Sequence, residues 1–491
     1  MQWSGSESFA SIGQCLAHHA RRLPSFVALV HRSVPFSYRA LAAQVVAVMD
    51  DLAVAGLRPG QVVGVEATDR HLHLLILLAA EALGLTTMSV TASELGPPAA
   101  LDRLCDRILA SHPVSGVPSE RRLTMPERWL EQIVGRPVRE RRFAELEAEP
   151  VPNALVRLIK SSGTSGAPKV MGMTHRVQQA VIGKTLSCMP AWLRAHPDYL
   201  CLYGFTVRAA HTRALLTLQC GGTIHLTAAD ALWAQISRGT GNYALFVSGD
   251  LERFVRSVPF GQAPPSLYLD VIGSAVPPQL REQVCAKLTE HLVVSYSSNE
   301  VNRVSVVDAD NVGTLFPDVR VRIVDERGAV LPIGQTGAIQ VRSDTMTDGY
   351  IGALELTRTA FVDGWFLTGD VGFQPSTGTL VVLGRADAML NVGGVKVAPG
   401  PIEARLKAIE GVADALVTSV DDVLQTRVLL VAVESDGSID PTGLRAAVSA
   451  VVRAQVASFE LLVLPALPRT ETGKVRVAAV RALYRQRTQV L

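Results

Sequence analysis

Hydrophobic positions follow two different periods in the first part of the chain. Apolar residues spaced three and four apart predict a helix within residues 36–57, and a turn followed by a short apolar run predicts a strand within residues 58–67. A nearly unbroken apolar run at residues 71–85 predicts a second, buried helix. Helices and short strands in alternation are typical of helices packed on a sheet.

The same alternation returns between Leu155 and Val307. Helical runs such as residues 277–290 separate four apolar runs that predict strands, and repeated strand–helix units favour a mostly parallel sheet. The predicted strands are residues 155–160, 243–249, 266–273 and 291–296. Residues 91–150, which are rich in Pro, Arg and Glu, are predicted to form a solvated connection.

The pattern changes twice more towards the C-terminus. Short runs of period two at residues 313–382, broken by Gly, Asp and Pro, predict a small β-barrel or antiparallel sheet. Beyond Asp387, three strands and helices, one with Asp440 as its N-cap, predict a compact α+β unit. We therefore expect an α/β protein with a large N-terminal domain (residues 1–386), which includes the β-barrel-like subdomain, and a small mobile C-terminal domain (residues 387–491).

Composition places the chain among globular proteins. The 491 residues are 48% hydrophobic and 19% charged, which supplies enough apolar surface for a sizeable core. Lysine and arginine number 47 against 45 aspartates and glutamates, so the net charge of +2 creates no broad field for nucleic acid or an anionic membrane. The six cysteines lack a CxxC pair, and no apolar run reaches the roughly 20 residues that span a bilayer. We expect a cytoplasmic protein with no nucleic-acid or membrane partner.

One loop has the residue types that bind phosphate. The segment SSGTSGAPK at residues 161–169 follows a predicted strand and combines hydroxyl and glycine residues with Lys169. Backbone N–H groups, hydroxyls and a cation in one turn can surround phosphate oxygens. The segment is not an ordinary P-loop, because Lys169 follows Pro168 and no glycine directly precedes it. Taken alone, such a stretch is also typical of a flexible loop.

Five further segments follow this loop, and the order and spacing of all six resemble one family. The chain resembles, from end to end, the adenylate-forming superfamily of acyl- and aryl-CoA synthetases, peptide-synthetase adenylation domains and luciferases. After SGTSGAPK at residues 162–169, the segments are Gly273-Ser274-Ala275, YSSNE at 296–300, WFLTGD at 365–370, GRAD at 384–387 and PRTETGKVR at 468–476. Each segment alone is a weak signal, whereas six in order are specific.

The resemblance implies that the protein activates a carboxylic acid with ATP to an acyl-adenylate, releases pyrophosphate and transfers the acyl group to a thiol. The acid's oxygen attacks the α-phosphorus in line, so the enzyme positions the reactants and stabilises charge. Mg²⁺ prefers one or two carboxylates plus water and phosphate oxygens, which makes Glu300 the implied metal ligand. Asp370 and Arg385 are implied to bind the ribose, and Lys474 to reach the carboxylate and the α-phosphate.

The resemblance carries over residue by residue to the segments above. It assigns catalysis to Lys474, Thr164 and Glu300, and nucleotide binding to Ser162, Gly163, Thr164, Ser165, Gly166, Lys169, Gly273, Ser274, Ala275, Tyr296, Asn299, Asp370, Arg385 and Lys474. The chain departs from the family's usual residues at Val170, Ser297, Asn299 and Asn391. Because Asn299 can still donate a hydrogen bond, the departures bear on the α-phosphate contact more than on the reaction.

The second half-reaction is implied by the segment around the hinge residue Asp387. In the family the small domain swings about this position, and Gly393 and Gly394 would then line the thiol tunnel. Two glycines let the backbone approach a narrow pantetheine arm closely, which favours thioester formation over simple adenylation. The alternative is a flexible Gly-containing linker. We expect the acceptor to be CoA, or the phosphopantetheine thiol of a carrier protein in trans, because the chain ends soon after Lys474.

Family position also implies an acyl pocket, part of it on a predicted helix from Gly204 to Ala214. Its implied residues are Gly204, Phe205, Arg208, Ser248, Gly249, Gly273 and Asn302. Peptide-synthetase domains place an Asp near the start of this helix to pair with an α-ammonium group. Here the helix has Arg208 and no acid, so an α-amino acid is disfavoured. Arg208 either pairs with a second carboxylate or polar group of the acid or faces solvent, and fatty, aromatic and short acids all stay open.

The sequence leaves three functions. The leading one is an acid–thiol ligase that works through an acyl-adenylate, and the first alternative is a stand-alone adenylation enzyme that loads a carrier protein in trans. The second alternative is a catalytically silent nucleotide-binding relative. Only the departures at Asn299 and Asn391 support it, whereas Glu300, Asp370 and Lys474 argue against it.

Overall fold

The computed structural model describes residues 9–488 apart from 97–99, 113, 115, 162–167, 260–265, 274, 393–394, 422–426, 436, 438–439, 453–458 and 470–474. Fourteen α-helices and 25 strands lie in these described residues. The helices are α1 (Ile12–Arg22), α2 (Tyr38–Val54), α3 (Arg70–Ala82), α4 (Trp129–Val134), α5 (His175–Ser187), α6 (Ala191–Ala195), α7 (Arg208–Gln219), α8 (Leu232–Ser237), α9 (Ser248–Ser257), α10 (Pro278–Lys287), α11 (Leu354–Ala360), α12 (Pro399–Leu406), α13 (Pro441–Val452) and α14 (Val477–Thr488).

The strands are short and run the length of the chain. They are β1 (Val27–His31), β2 (Val34–Ser37), β3 (Val62–Glu66), β4 (Thr86–Ser89), β5 (Arg107–Ala110), β6 (Arg122–Thr124), β7 (Leu155–Ser161), β8 (Lys169–Thr174), β9 (Asp198–Cys201), β10 (Thr223–Leu226), β11 (Tyr243–Val247), β12 (Tyr268–Ile272), β13 (Leu292–Ser298), β14 (Asn302–Val307), β15 (Gly313–Leu315), β16 (Arg320–Val324), β17 (Gly337–Arg342), β18 (Phe361–Val362), β19 (Trp365–Phe373), β20 (Thr379–Arg385), β21 (Leu390–Val392), β22 (Val395–Val397), β23 (Asp414–Asp421), β24 (Arg427–Glu434) and β25 (Phe459–Leu464).

Backbone contacts divide the chain into two units. The first is Met1–Arg320 with Val341–Phe366, and the second is Val321–Gln340 with Leu367–Leu491. The domain boundary expected at Asp387 stays a prediction.

The larger sheet of the first unit is mostly parallel, as predicted. Its strands lie in the order β15-β14-β13-β12-β11-β9-β10-β1-β2. The six central strands, from β13 to β1, pair in parallel, and antiparallel strands lie at the two ends of this run. Because β11, β12 and β13 are parallel neighbours, the residues that follow them lie at one edge of the sheet.

The second sheet of this unit has six strands in the order β6-β5-β3-β4-β7-β8. All its pairs are parallel except β7 with β8, which form an antiparallel pair. All four residues of β4 are buried, because structure covers both faces of the sheet. These strands and their helices confirm the predicted α/β class.

Side-chain caps stabilise the first turns of two helices in the first unit. Ser37 accepts a hydrogen bond from the Ala40 amide at 3.2 Å and caps α2, and Asp69 accepts from two amides at the start of α3. The predicted buried helix is α3, whose described residues from His71 to Glu81 are all buried. Its nearly unbroken apolar sequence matches a helix that is covered on all sides.

Two expectations from the sequence are wrong. Residues 91–150 are not merely a solvated connection: within their described part, β5 and β6 extend the second sheet, and Trp129, Ile133, Phe143 and Leu146 are buried. Their short elements carry too few apolar residues to show a period. The helix expected from Gly204 begins instead at Arg208 and continues to Gln219, because residues 204–207 form the approach to it.

The second unit begins with antiparallel strands, as predicted. Strands β16, β17, β19 and β20 are neighbours in that order, and β19 pairs with β20 in antiparallel register. The α+β part follows: β23, β24 and β25 form a three-stranded sheet, and Ile402, Val431 and Val448 lie in its buried apolar core. The predicted N-cap is confirmed, since Asp440 accepts a hydrogen bond from the Gly443 amide at 3.1 Å.

None of the helices in the described residues is long and apolar enough to cross a bilayer.

Candidate active site

The expected phosphate-binding segment starts and ends at one point of the second sheet. β7 ends at Ser161, β8 begins at Lys169, and these two residues pair across the antiparallel ladder. The two strands therefore hold both ends of the segment within one rung of the sheet. The predicted ligands between them, Ser162, Gly163, Thr164, Ser165 and Gly166, lie outside the described residues.

The segment YSSNE contacts the start of this loop through Asn299. The side-chain amide of Asn299 donates a hydrogen bond to the main-chain oxygen of Lys160 at 3.0 Å, across 139 residues of sequence. The Lys160 ammonium pairs with Glu94. The departure from the family's usual residue at position 299 therefore has a structural role here, because the amide of Asn299 joins the end of β13 to the end of β7.

Glu300 lies next to Asn299 and is 8% exposed. Its Oε1 accepts a hydrogen bond from the Tyr350 hydroxyl at 3.0 Å, and its main-chain oxygen accepts from the Thr347 amide at 2.8 Å. Lys169 Nζ lies 5.2 Å from the centre of the Tyr350 ring, a cation–π distance. Tyr350 thus contacts two residues that the family resemblance assigns to phosphate and metal binding.

Sequence reasoning missed Tyr350, which belongs to none of the six motifs. An aromatic residue followed by Gly352 after a polar stretch carries no pattern that marks a site.

Glu300 is suited to hold Mg²⁺, because a carboxylate held by one neutral hydroxyl donor keeps lone pairs for a hard cation. Among the described residues, no cluster of three or more His, Cys, Asp or Glu side chains could hold a metal without phosphate ligands.

Arg208 is the first residue of α7, and it is partly buried. Its Nη1 donates a hydrogen bond to the main-chain oxygen of Asn299, and its Nη2 lies 3.8 Å from the sulfur of Met173. Burial lowers the pKa of Arg208 to about 10, although the carboxylate of Glu300 opposes this shift. The guanidinium therefore lies beside the residues expected at the reaction centre.

The other residues expected in the acyl pocket follow parallel strands. Ser248 and Gly249 come directly after β11, and Gly273 comes directly after β12, so all three lie at the same sheet edge as Glu300. Gly273 has a φ of +99°, a conformation that favours glycine. Phe205 is fully buried, with its ring 5.8 Å from that of His73 and 6.2 Å from that of His211.

Three more expected residues lie in or next to β13 and β14. Tyr296 lies within β13 and is half-buried, and Asn302 begins β14 with its amide 3.5 Å from the Thr345 oxygen. Ala275 is exposed, whereas its neighbour Ser274 lies outside the described residues.

In the second unit, Asp370 and Arg385 are paired across the β19–β20 ladder. Arg385 Nη1 lies 3.6 Å from the Asp370 carboxylate and donates to the Thr368 oxygen at 2.9 Å, and its Nε lies 3.5 Å from Asp387. Gly369 has a φ of +76°, and a Cβ at this position would lie 2.7 Å from Nη2 of Arg385. The glycine of the TGD segment is therefore needed both for its backbone conformation and for the close approach of the arginine.

The remaining expected residues, Lys474, Gly393 and Gly394, lie outside the described residues.

Comparison with known proteins decides the family. A family model described as AMP-binding enzyme matches residues 16–351. The chain belongs to the AMP-binding enzyme family. This confirms the resemblance that the six motifs indicated.

The names of two curated relatives give aromatic acids as their substrates. This AMP-binding enzyme is 26% identical over 530 residues to 2-hydroxy-7-methoxy-5-methyl-1-naphthoate–CoA ligase of Streptomyces carzinostaticus, covering 98% of this chain and 93% of the relative. It is 28% identical to a salicylyl-CoA synthase / salicylate adenylyltransferase of a Streptomyces species, over 66% of this chain and 62% of the relative. The apo crystal structure of MatB from Rhodopseudomonas palustris superposes with a TM-score of 0.78 at 20% identity, over 97% of this chain and 99% of that chain, which shows a shared fold.

The family confirms the predicted reaction class. This AMP-binding enzyme is an acid–thiol ligase: it uses ATP to convert a carboxylic acid to an acyl-adenylate, and then transfers the acyl group to a thiol. The names of the relatives also confirm the general substrate class, a small-molecule carboxylic acid.

Proposed function

We propose that this chain is an aryl acid–CoA ligase, which activates an aromatic carboxylic acid with ATP and Mg²⁺ and transfers the aryl group to CoA. The choice of an aromatic acid is supported by the relative that matches nearly the whole chain and is named as a naphthoate–CoA ligase. The absence of an acid on α7 disfavours an amino acid, because Arg208 would leave the substrate's ammonium group without a partner. The reaction takes place in the cytoplasm, where ATP and CoA are both present.

The main observation behind this proposal is that the YSSNE segment and the phosphate-binding segment, far apart in the sequence, are in contact in the structure. Asn299 holds the strand that leads into the phosphate-binding segment, and Tyr350 contacts both Glu300 and Lys169. An in-line displacement at phosphorus depends on positioning, so a rigid frame around the triphosphate is what the chemistry requires. A solvated loop of the same composition would need no such contacts.

Glu300 is the proposed Mg²⁺ ligand and Thr164 a proposed phosphate ligand. Mg²⁺, when bound, neutralises charge on the phosphate oxygens. The protein's own contribution is to orient that carboxylate, since the Tyr350 hydroxyl holds Oε1 and leaves the lone pairs of Oε2 for a cation. Lys169 adds a positive charge over the same aromatic ring.

Asp370 is proposed to accept hydrogen bonds from both ribose hydroxyls, and Arg385 to support the same sugar. This role is supported by the ladder pairing of the two residues and by the glycine that makes room for the guanidinium. Lys474 is proposed to bring its ammonium group to the carboxylate and the α-phosphate, where negative charge develops.

Transfer to the thiol is proposed to follow a swing of the small domain, residues 387–491, about Asp387. The contact between Asp387 and Arg385 couples the proposed hinge residue to the proposed ribose-binding residue. In the thioester-forming pose, Gly393 and Gly394 would line the path of the pantetheine arm.

The test is product formation with a panel of aromatic acids. The full chain is incubated with ATP, Mg²⁺ and one acid, and pyrophosphate exchange reports the first half-reaction. CoA or a phosphopantetheinylated carrier protein is then added, and mass spectrometry identifies the thioester. Aryl-CoA formation supports the proposal; acylation of the carrier alone supports the stand-alone adenylation enzyme; no exchange with any aromatic acid contradicts the proposed substrate class.

A further inference from the structure

A small cleft in the first unit has two arginines in its wall. Its volume is about 10 Å³, which is room for one water-sized group such as a single oxygen atom, and it is partly open to solvent. The polar residues that line it are Ser89, Arg157, Lys160, Thr206 and Arg208. Arg208 connects this cleft to the expected reaction centre, because its guanidinium contacts the main chain of Asn299.

Arg157 lies within β7 and is 3% exposed. Its Nη2 donates to Ser89 Oγ at 2.9 Å and to the Phe205 oxygen, whereas its Nη1 is buried and has no hydrogen-bond partner among the described residues. Ser89 Oγ is in turn 2.9 Å from Nε2 of His73. Every hydrogen-bond partner of this buried cation is therefore neutral.

No described carboxylate forms a hydrogen bond with Arg157. Burial and then the charge of Arg208 lower its pKa to about 9, although the carboxylate of Glu81 opposes this shift. His73 is neutral, since burial and then Arg157 lower its pKa to about 3, and burial also lowers the pKa of His211 well below its usual value. Lys160 is already paired with Glu94. Nη1 of Arg157 and Nε of Arg208 are both buried without a hydrogen-bond acceptor among the described residues, and the charges of Glu81 and Glu300 offset the two guanidinium charges only from a distance. This arrangement favours an anion between the two groups, because a buried donor or charge without a partner is costly.

We propose that this cleft is an anion subsite of the acyl pocket, and that the substrate is an aromatic acid with a second acidic oxygen on its ring. This inference rests on the proposed function and narrows its substrate class. A ring carboxylate or an ionised ring hydroxyl supplies the same chemistry, a negatively charged oxygen that accepts hydrogen bonds from Nη1 of Arg157 and from Arg208.

The reacting carboxylate is a poorer occupant for the cleft. A carboxylate held by two guanidinium groups is stabilised in the ground state, which raises the barrier to its attack on phosphorus. A second acidic group takes no part in the reaction, so tight binding of this group positions the substrate without slowing the chemistry. The cleft also allows a hydroxyl to ionise, since two nearby cations favour the anionic form of the ring oxygen.

The test compares ring-matched acids with wild-type and variant enzyme. Pyrophosphate exchange is measured with benzoate, the three hydroxybenzoates and the three benzenedicarboxylates, each as kcat/KM. We expect the wild type to favour at least one hydroxy or dicarboxylic acid over benzoate by about 10- to 100-fold, the range for hydrogen bonds to charged groups. Preference for a hydroxy acid or for a dicarboxylic acid then distinguishes the two sources of the oxygen.

In the variants Arg157→Gln and Arg208→Gln, the ratio of kcat/KM for the favoured acid to kcat/KM for benzoate should fall close to one. The change should come chiefly from KM. Arg70→Gln is the matched control: Arg70 is a partly buried arginine whose partners are the carbonyl oxygens of Cys201, Leu202 and Thr227, and it does not line the cleft. This control should keep the wild-type ratio. If Arg157→Gln fails to fold, Arg208→Gln, at a less buried position, still decides the outcome.

Three results would overturn the inference while leaving the proposed function intact: benzoate as good as every other acid, a ratio unchanged in both variants, or an equal loss for all acids. The last result assigns the arginines to the reacting carboxylate. Thermal shift of the full chain with the same acids, without ATP, separates the two proposals. If no acid supports exchange, the proposed function fails. Stabilisation by a hydroxy or dicarboxylic acid that requires Arg208 still supports the subsite, and its absence with every such acid contradicts the subsite.

Discussion

The side chain of Asn299 and the main chain of Lys160 are joined by a hydrogen bond of 3.0 Å, although 139 residues separate them. The bond fixes the end of β13 against the strand that leads into the phosphate-binding segment. Two motifs recognised separately in the sequence are therefore joined in the structure, and we propose that the reaction depends on the rigidity of this connection.

Replacing Asn299 by Ala should weaken this element. Loss of one hydrogen bond is expected to lower the free energy of unfolding by about 1 kcal/mol. Exchange should also slow, because the segment loses its anchor. Urea unfolding and pyrophosphate exchange measure the two effects. Asn153→Ala is the control: it removes only an exposed hydrogen bond from Arg176 at 3.3 Å, so it should cost little stability and leave exchange unchanged. Unchanged unfolding of the Asn299 variant would show that the bond is not formed in solution.

Tyr350→Phe tests the orientation of Glu300. The change removes the hydroxyl that donates to Oε1 but keeps the ring, with its contacts to Lys169 and, at 5.5 Å, to Phe361. We expect exchange to slow about 10-fold, the effect of losing a hydrogen bond to a charged group, and the Mg²⁺ concentration for half-maximal rate to rise.

The control for this variant is Tyr268→Phe. It removes a hydroxyl that donates to the Cys188 oxygen at 3.1 Å, away from Glu300. The control should keep the wild-type Mg²⁺ dependence. An equal shift in both variants would assign the effect to general loss of packing.

Gly369→Ala should raise the KM for ATP. A methyl group here would lie 2.7 Å from Nη2 of Arg385 and displace a residue proposed to bind the ribose, while the positive φ adds a strain of about 1–2 kcal/mol. Gly328→Ala is a matched control in the same unit, since its φ is +80° and nothing lies within 4 Å of the added methyl group. The control should lose stability but keep its KM, and similar KM values in the two variants would refute the role of Arg385.

Lys474→Ala should slow adenylate formation by about 10²–10³-fold, as for the loss of one transition-state donor. Binding of the acid and ATP should change less, because the charge on phosphorus develops only as the bond forms. Pyrophosphate exchange measures the first effect and equilibrium titration the second. Lys407→Ala, at an exposed lysine of the same unit, should exchange at the wild-type rate. An undiminished rate in Lys474→Ala would remove this residue from the reaction.

A buried ion cluster predicts the acid stability of the first unit. Burial by itself would raise the pKa of Asp270, but Arg213 and Arg303 hold it below the usual value of an aspartate. A depressed pKa contributes stability above the unfolded-state value, about pH 4, and that stability is lost as the pH falls through the folded-state pKa. The free energy of unfolding should therefore fall in acid.

The corresponding variant is Asp270→Asn. It leaves two buried arginines without their carboxylate and should cost about 3–5 kcal/mol at neutral pH. Denaturant unfolding between neutral and acid pH measures both the cost and the loss of this contribution to the pH dependence. Asp310→Asn, at an exposed aspartate, serves as the control. A variant as stable as the parent would contradict a charged Asp270.

Features that depend on local chemistry could be predicted from the amino-acid sequence. The periods of α2 and α3, the apolar strands β7, β11, β12 and β13 and the cap at Asp440 follow from neighbouring residues, whose spacing fixes which face is buried. The family and its reaction class were also readable there, because catalytic motifs keep the same residue types at the same spacing along a chain.

Contacts between residues far apart in the sequence could be seen only in the folded protein. Tyr350 contacts Glu300, and Arg157 lies beside Arg208, only because separate strands and helices pack there; no local pattern encodes either contact. The same holds for residues 91–150, whose few apolar side chains are buried by surfaces formed elsewhere in the chain. Burial and electrostatic pairing are properties of the packed structure, so a hydrophobic period cannot predict them.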